Sequence, residues 1–310
     1  MNKIGWKLNQ LIRNEKGAVL VLVAAGMTVF LGLTALVIDG GGLYLERARL
    51  QKAMDAAVLA GAQELPNRPE MAKQEAERAA AANGVEASEL MITFNASNTT
   101  IQATVVRSKQ LKFVHALGIS DPPVRATAKV ELRPLTSVAG VIPLGVDASR
   151  QLAYGDAVIL KVGEPKYGNF VALQMPGPGA SDYREDLKNG YQETISIGDI
   201  LDTKHGNMVG PTKQAIEDRM ARCPYHGSAS CYDYPKDCPL VVLVPVYKPI
   251  GDGTRVDQVQ VVGFASFFIE RIGSTNEGVE IIGRFIQTAY SGSSSPSQGD
   301  YGAYGYKLIE

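Results

Sequence analysis

One apolar run near the start of the sequence limits what this chain can fold into. It extends from Gly17 to Ile38 and contains no charged residue and no proline. A helix of about 20 apolar residues crosses the hydrocarbon core of a bilayer, and a backbone in lipid has to satisfy its polar groups within the segment. The run therefore predicts a transmembrane helix at 17–38. A buried helix of a soluble protein is the alternative, but such helices rarely stay apolar on every face over this length.

The charges on either side of the run predict its orientation. Residues 1–16 form a basic tail with one acid, whereas the charges after Asp39 are mixed. Because positively charged flanks stay inside, we expect a single-pass protein of the cell membrane with a cytoplasmic N-terminus and its main domains outside. An uncleaved signal-anchor is preferred to a cleaved signal peptide, because the run is long and no cleavage site follows it. Cleavage beside Gly17 and Ala18 by a prepilin-type peptidase is a third alternative.

Helical spacing of apolar residues continues beyond the predicted membrane span. It predicts one helix from about Ala18 to Leu65 and a second from Pro69 to Asn83. Alternating patterns then predict strands at 91–94, 101–105 and 124–132, with a short helix at 111–117. Small residues line the outer half of the first helix, where they suit close packing against partner helices or against the chain's own sheet. These residues are Ala53, Ala56, Ala57, Ala60 and Gly61.

The second half of the chain has a different composition. A linker is predicted at 134–140, a mainly β domain outside the cytoplasm at 141–290 and a flexible, Gly/Ser/Tyr-rich tail at 291–310. Gly263 is predicted to mark a β-bulge. The predicted strands are 157–162, 169–175, 193–197, 240–247, 258–269 and 279–289, with helices at 181–189 and 212–222. The fold class is therefore α+β: a long N-terminal transmembrane helix with a pilin-like α+β unit at 39–133, followed by a mainly β domain.

The N-terminal region resembles the TadE/TadG-like proteins of Flp (Tad) pilus assembly. The shared features are Gly17-Ala18 before the apolar run, Asp39-Gly40 after it, and an Arg-x-x-x-Gln-x-Ala-x-Asp-Ala-Ala block over 47–57. The resemblance implies a membrane protein that takes part in assembling thin adhesive pili. Pilin-like subunits carry a glutamate at the fifth position after the cleavage glycine, where this chain has Leu22. This departure at Leu22 favours an anchored assembly protein over a cleaved subunit.

Three cysteines and a histidine lie close together in the second half. Cys223, His226, Cys231 and Cys238 provide enough side chains for a structural zinc site. Their order matches no zinc signature, and a disulfide between two of the cysteines is preferred outside the cytoplasm, although the spacing does not identify the pair. No motif predicts a catalytic residue or a cofactor site. A formal net charge of -1 argues against a nucleic-acid partner.

These observations predict a non-enzymatic, membrane-anchored structural protein of a Tad/Flp-type pilus. Its expected partners are the lipid bilayer and other pilus-assembly proteins or pilin-like subunits, including further copies of itself. One alternative is a processed minor pilin or filament subunit. A second alternative is a cell-surface sensor or ligand-binding module on the same scaffold.

Overall fold

A computed structural model describes most of the chain. The described residues are 15–114, 120–150, 153–162, 171–176, 183–204, 208–224, 233–234, 237–251, 256–275 and 278–309.

Two helices open the described part of the chain. Helix α1 runs over Glu15–Ala62 without interruption, because no proline occurs before Pro66 and the three glycines at 40–42 keep helical geometry. Helix α2 covers Pro69–Ala82, with proline in its first turn. Gly84, with a φ of 80°, follows its C-terminus. Both helices agree with the sequence prediction to within three residues.

An antiparallel sheet packs against these helices. After a 3₁₀ turn at Ala87–Glu89 come β1 (Leu90–Phe94), β2 (Thr100–Ser108) and β3 (Pro123–Val138). Strand β2 pairs with both neighbours in continuous register. Every second side chain of β3 from Val124 to Leu132 is buried against the helices, as the alternation predicts. The predicted short helix is wrong at 111–113, which form a loop, and 115–119 lie outside the described residues.

Strand β3 continues through the segment that the sequence predicts to be a linker. Residues 134–138 belong to this strand, so the linker predicted at 134–140 is wrong over most of its length. Val124 and Val130 are buried in the core between the helices and the first sheet, which we call the first core. Leu135 and Val138 are buried in a separate second core. One strand therefore runs from the helix-packed sheet into the β-rich half. Proline and glycine suggested a break, but Pro134 is accommodated opposite Tyr304.

The predicted flexible tail is also wrong at Ser293–Ser294 and Ala303–Ile309, which are in strands. It forms β13 (Ser293–Ser294) and β14 (Ala303–Ile309), while β12 (Thr288–Tyr290) immediately precedes it. Strand β14 pairs antiparallel with β3 and parallel with β12, which completes the first sheet in the order β1-β2-β3-β14-β12. The open edge of β3 thus finds its hydrogen-bond partner in the last residues of the chain.

The second sheet closes on itself. Its strands are β4 (Leu144–Asp147), β5 (Ala157–Val162), β6 (Val171–Gln174), β8 (Ile200–Thr203), β9 (Val241–Ile250), β10 (Gln258–Thr275) and β11 (Gly278–Ile286). Strands β9, β10, β8, β6 and β4 form a closed ring, in which β4 and β9 are parallel. Strands β11 and β5 extend from the second half of β10. We call this part the barrel unit.

Smaller elements complete the barrel unit. Helices α3 (Tyr183–Asn189) and α4 (Val209–Arg222) contact each other and, through α4, strands β10 and β11, and the short β7 (Ile195–Ser196) pairs with the end of β3. The predicted bulge is confirmed, because the register of β10 against β9 shifts between Val261 and Gly263. A side chain at Gly263 would collide with the ring of Tyr301. The structure is therefore mixed α+β, with a long apolar N-terminal helix followed by a mainly β domain.

Candidate functional site

The first half of α1 is exposed and is not buried by the rest of the described chain. Its large apolar side chains from Val19 to Ile38 are all exposed, and none of its most apolar window is buried. By length and composition this helix is able to cross a membrane. Thr28 and Thr34 donate their hydroxyls to the carbonyl oxygens of Ala24 and Phe30, at 2.9 and 2.8 Å. The span thus satisfies its polar side chains internally, as lipid requires.

Asp39, the first residue after the apolar run, is clamped by the loop that follows β2. Its Oδ1 accepts the N–H of Lys112 at 2.8 Å, and its Oδ2 accepts those of Phe113 and Val114 at 2.9 and 2.8 Å. Asp39 is only 5% exposed. Burial acts to raise the pKa of the carboxyl, but the three N–H donors outweigh it and the pKa is lowered. The carboxylate therefore ties α1 to this loop, which we call the clamp loop (109–114).

Two turns further along α1, Glu46 joins the same face of the helix to the sheet. Its carboxylate lies 3.3 Å from both the Arg107 guanidinium and the Lys109 ammonium. Burial acts to raise the Glu46 pKa, but hydrogen bonds from Lys109 and Arg107 lower it overall. Arg107 also binds Glu89 through Nε at 2.8 Å and Nη2 at 2.6 Å. This network holds helix, sheet and 3₁₀ turn together where the chain leaves the apolar span.

Sequence reasoning did not identify Glu46, although a signal for it exists. Asp39, Leu43, Glu46, Leu50 and Ala53 follow one another at alternating spacings of four and three, which place them on one helical face. Leu50 and Ala53 are in the core between α1, α2 and the first sheet, which together we call the sheet unit. Acids at such positions have to be satisfied by partners from elsewhere in the fold. An acidic residue on the same helical face as the buried apolar residues thus indicates a contact with a distant part of the chain.

Comparison with known protein families bears on this helix. Residues 17–64 match the model of the family described as "Putative Flp pilus-assembly TadE/G-like". The matched segment is TadE/G-like. We call it the Tad segment; it lies almost entirely within α1 and includes both Asp39 and Glu46. No curated protein and no solved structure matches the chain.

The structure places the small residues of the Tad segment mainly against the chain's own sheet. Ala53 and Ala57 are fully buried in the core with β2 and β3, and Gly61 is buried beside α2. Ala56 and Ala60 are half-buried. The sequence predicted that these small residues pack against partner helices or against the chain's own sheet. The buried ones pack within the chain's own fold. Contact with partner helices stays a prediction for the two half-buried alanines.

Other parts of the predicted motif have local roles. Gln51 donates from Nε2 to Asp55 Oδ1 at 2.9 Å and to the carbonyl oxygen of Thr127 at 3.0 Å, so it links α1 to β3. Gly17 and Ala18, the predicted cleavage position, lie in α1, which is described from Glu15. Cleavage there stays a prediction. Leu22, at the position of the pilin glutamate, is exposed.

Two of the four cysteine and histidine candidates come together. The Sγ atoms of Cys223, at the end of α4, and Cys238, before β9, are 3.6 Å apart, and both residues are buried. Both are free thiols, and burial raises the pKa of Cys238 to about 11. His226 and Cys231 lie outside the described residues, so the zinc alternative stays untested. Among the described residues, no group of three metal-ligating side chains is found.

Proposed function

We propose that this protein is a membrane-anchored, pilin-like structural component of Flp-type pilus assembly that acts through protein contacts. The span at 17–38 crosses the cell membrane with its N-terminus in the cytoplasm. The sheet unit and the barrel unit lie outside. The partners are other assembly proteins, pilin-like subunits or further copies of this chain.

One observation carries the proposal. The Tad segment is a single helix whose first half is apolar and exposed, while its second half is the central helix of the sheet unit. A membrane anchor and a folded domain thus share one continuous helix, which Asp39 and Glu46 tie to the clamp loop and the sheet. Such an element transmits position and force from the membrane to the barrel unit. This property suits a component that holds or aligns subunits of a filament.

The exposed half of α1 is the surface that we expect to contact partners within the membrane. Phe30 is 74% exposed and lies near the middle of the span. A photo-crosslinking amino acid at Phe30 should capture another pilus protein or a second copy in native membranes. The same label at Met91, which is 65% exposed but lies on the edge strand β1, is the matched control. Equal capture of the same proteins from both positions, or none from Phe30, would contradict the proposal.

The mature N-terminus separates the anchored protein from the filament subunit. Protein from membranes and from sheared surface filaments would be compared by N-terminal sequencing and intact mass. A chain that keeps the basic residues before Gly17 and occurs only in membranes supports an anchored assembly component. A chain that begins at Ala18 and occurs in the sheared fraction supports a subunit that polymerises despite Leu22.

A cavity provides the observation that favours the ligand-binding alternative. It measures about 260 Å³ and lies between the end of α1, the barrel unit and β12. Tyr234, Tyr290 and Tyr306 line it together with Arg68, which stacks over the Tyr234 ring at 4.7 Å. Deleting the gene decides between the two functions. Loss of surface filaments supports an assembly role, whereas unchanged filaments support a sensor or binding module.

A further inference from the structure

The clamp loop returns to α1 at the residue where the apolar run ends. Because the N–H of Phe113 donates to Asp39, the backbone of the loop lies within one hydrogen bond of the first polar residue after Ile38. A cleft of about 310 Å³ separates the two elements. Ile38, Asp39 and Gly42 line it from the helix, and residues 109–112 line it from the loop. If α1 spans the membrane, this loop is therefore level with the membrane surface.

The side chains of the loop suit that position. The Phe113 ring is 47% exposed, whereas Leu111 is buried. Lys112 next to it is exposed, and Tyr44, just over one helical turn beyond Asp39, is 74% exposed. Tyrosine is enriched at membrane interfaces, phenylalanine is among the side chains that interfacial segments bury at the boundary of headgroups and acyl chains, and lysines there extend their charge towards the headgroups.

The acids around the loop do not oppose contact with lipid phosphates. Asp39 is buried and accepts three N–H groups, and Glu46 is paired with Arg107 and Lys109. Asp121 accepts the N–H of Leu111 at 3.0 Å. The carboxylates that face the loop are thus engaged with the protein. The exposed charge of the loop at this level is the ammonium of Lys112.

We propose that the clamp loop is a second membrane attachment, which lies in the headgroup layer with the Phe113 ring at the boundary of the lipid. The partner is the phospholipid surface. The inference rests on the membrane placement of α1 proposed above. A helix alone allows the domain outside to tilt and rotate. A loop that is fixed to α1 by Asp39 and also rests in the headgroups restricts how the sheet unit leans against the membrane.

Depth-dependent fluorescence quenching tests this inference on the full chain in phospholipid vesicles. Trp6 is the only tryptophan, so Trp6→Phe gives a silent background. Into it we would place one tryptophan at a time: Val37→Trp in the span, Phe113→Trp in the clamp loop and Ile200→Trp in the barrel unit. All three positions are exposed. Lipids brominated at shallow and deep chain positions would then quench whichever tryptophan they contact.

The expected result is a blue-shifted emission from position 113 that loses most of its intensity to shallow bromines and less to deep ones. Position 37, two residues before Asp39 at the same end of the span, should also be quenched mainly by shallow bromines, and position 200 should be unaffected. If position 113 behaves like position 200 while position 37 is quenched, the loop inference is overturned and the membrane span stands. If position 37 is also unquenched, the proposed membrane placement fails as well.

A second variant tests the role of the clamp. Asp39→Ala removes the acceptor for three N–H groups, so position 113 should lose most of its quenching while position 37 keeps it. Unchanged quenching at 113 would show that the clamp does not hold the loop at the membrane. The quenching at position 113 would also be compared between membranes with and without pilus proteins. If position 113 is quenched only when these proteins are absent, its natural partner is a protein rather than lipid, and the proposal is overturned.

Discussion

Replacing Gly61 by alanine should destabilise the protein, although alanine favours helices more than glycine does. Gly61 is in the last turn of α1, where α2 crosses closely. A Cβ built there would lie 2.7 Å from the carbonyl oxygen of Ala72 and 2.6 Å from Cδ1 of Ile101. It would also lie 3.3 Å from Cβ of Ala76. The Ala72 oxygen belongs to the backbone of α2, so a side-chain rotation cannot relieve the collision.

The magnitude follows from two opposing effects. Overpacking of a core typically costs about 1–3 kcal/mol, and the obstructing backbone atom places this site in the upper part of that range. The helix-propensity gain of Gly→Ala is about 1 kcal/mol. We therefore expect Gly61→Ala to lower the free energy of unfolding by about 1–2 kcal/mol.

The same helix contains a matched control. Gly41 is exposed, and a Cβ there meets no atom within 4 Å. Gly41→Ala should therefore raise the free energy of unfolding by about 0.5–1 kcal/mol, the usual gain at an unobstructed helical position. Identical substitutions in one helix are thus expected to act in opposite directions.

Urea unfolding of the full chain in detergent micelles, followed by circular dichroism, measures both effects. The midpoint should fall for Gly61→Ala and rise for Gly41→Ala, with little change in the slope against urea. A rise for both variants would refute the close crossing of α1 and α2. It would instead leave Gly61 free for the contact with a partner helix that the sequence also suggests.

Three further predictions concern other parts of the fold. Oxidised glutathione, which takes up the two electrons and two protons, should link Cys223 to Cys238 in a disulfide. Peptide mapping would contradict this if it found Cys223 or Cys238 bonded to the third cysteine. Deleting Ala303–Ile309 should abolish hydrogen-exchange protection along the β3 edge that these residues cover, whereas unchanged protection would mean that the tail is not part of the sheet. Asp39 and Glu46 have lowered pKa values in the folded state, so the unfolded chain takes up protons first as the pH falls. The stability that these two carboxylates contribute is therefore present above about pH 4.5 and is lost as the pH falls through their folded-state pKa values. The urea midpoint should decline over this range, and the decline should be shallower for Asp39→Asn. An unchanged decline in that variant would contradict the clamp.

The candidate site was only partly predictable. The sequence marks Asp39 as a motif residue after the apolar run, and the structure shows what it binds. The clamp loop is separated from Asp39 by more than 70 residues along the chain, and its contribution is three backbone N–H groups. Backbone donors carry no sequence signal, because every residue except proline has one. Glu46 was missed for a different reason: its register with the buried stripe was visible, but its partners, the side chains of Arg107 and Lys109, are 61 and 63 residues away along the chain.

The sequence by itself determined the elements whose patterns are local. The apolar run and the helical spacing that continues to Leu65 predicted α1, and the alternation along β3 predicted that strand, because side-chain direction repeats every 3.6 residues in a helix and every two in a strand. The bulge at Gly263 belongs to the same class.

Tertiary structure alone decided how the two halves of the chain are joined. Pro134 and Gly140 suggested a linker, and the Gly/Ser/Tyr-rich end suggested a mobile tail, yet β3 runs on to Val138 and Ala303–Ile309 pairs with it. The physical reason is that a strand edge requires hydrogen-bond partners but does not specify where along the chain they come from. Tyr304, buried in the first core and bonded through its hydroxyl to Asp300 at 2.9 Å, holds the returning strand in place. Such a contact depends on the shape of the assembled core, which no local pattern records.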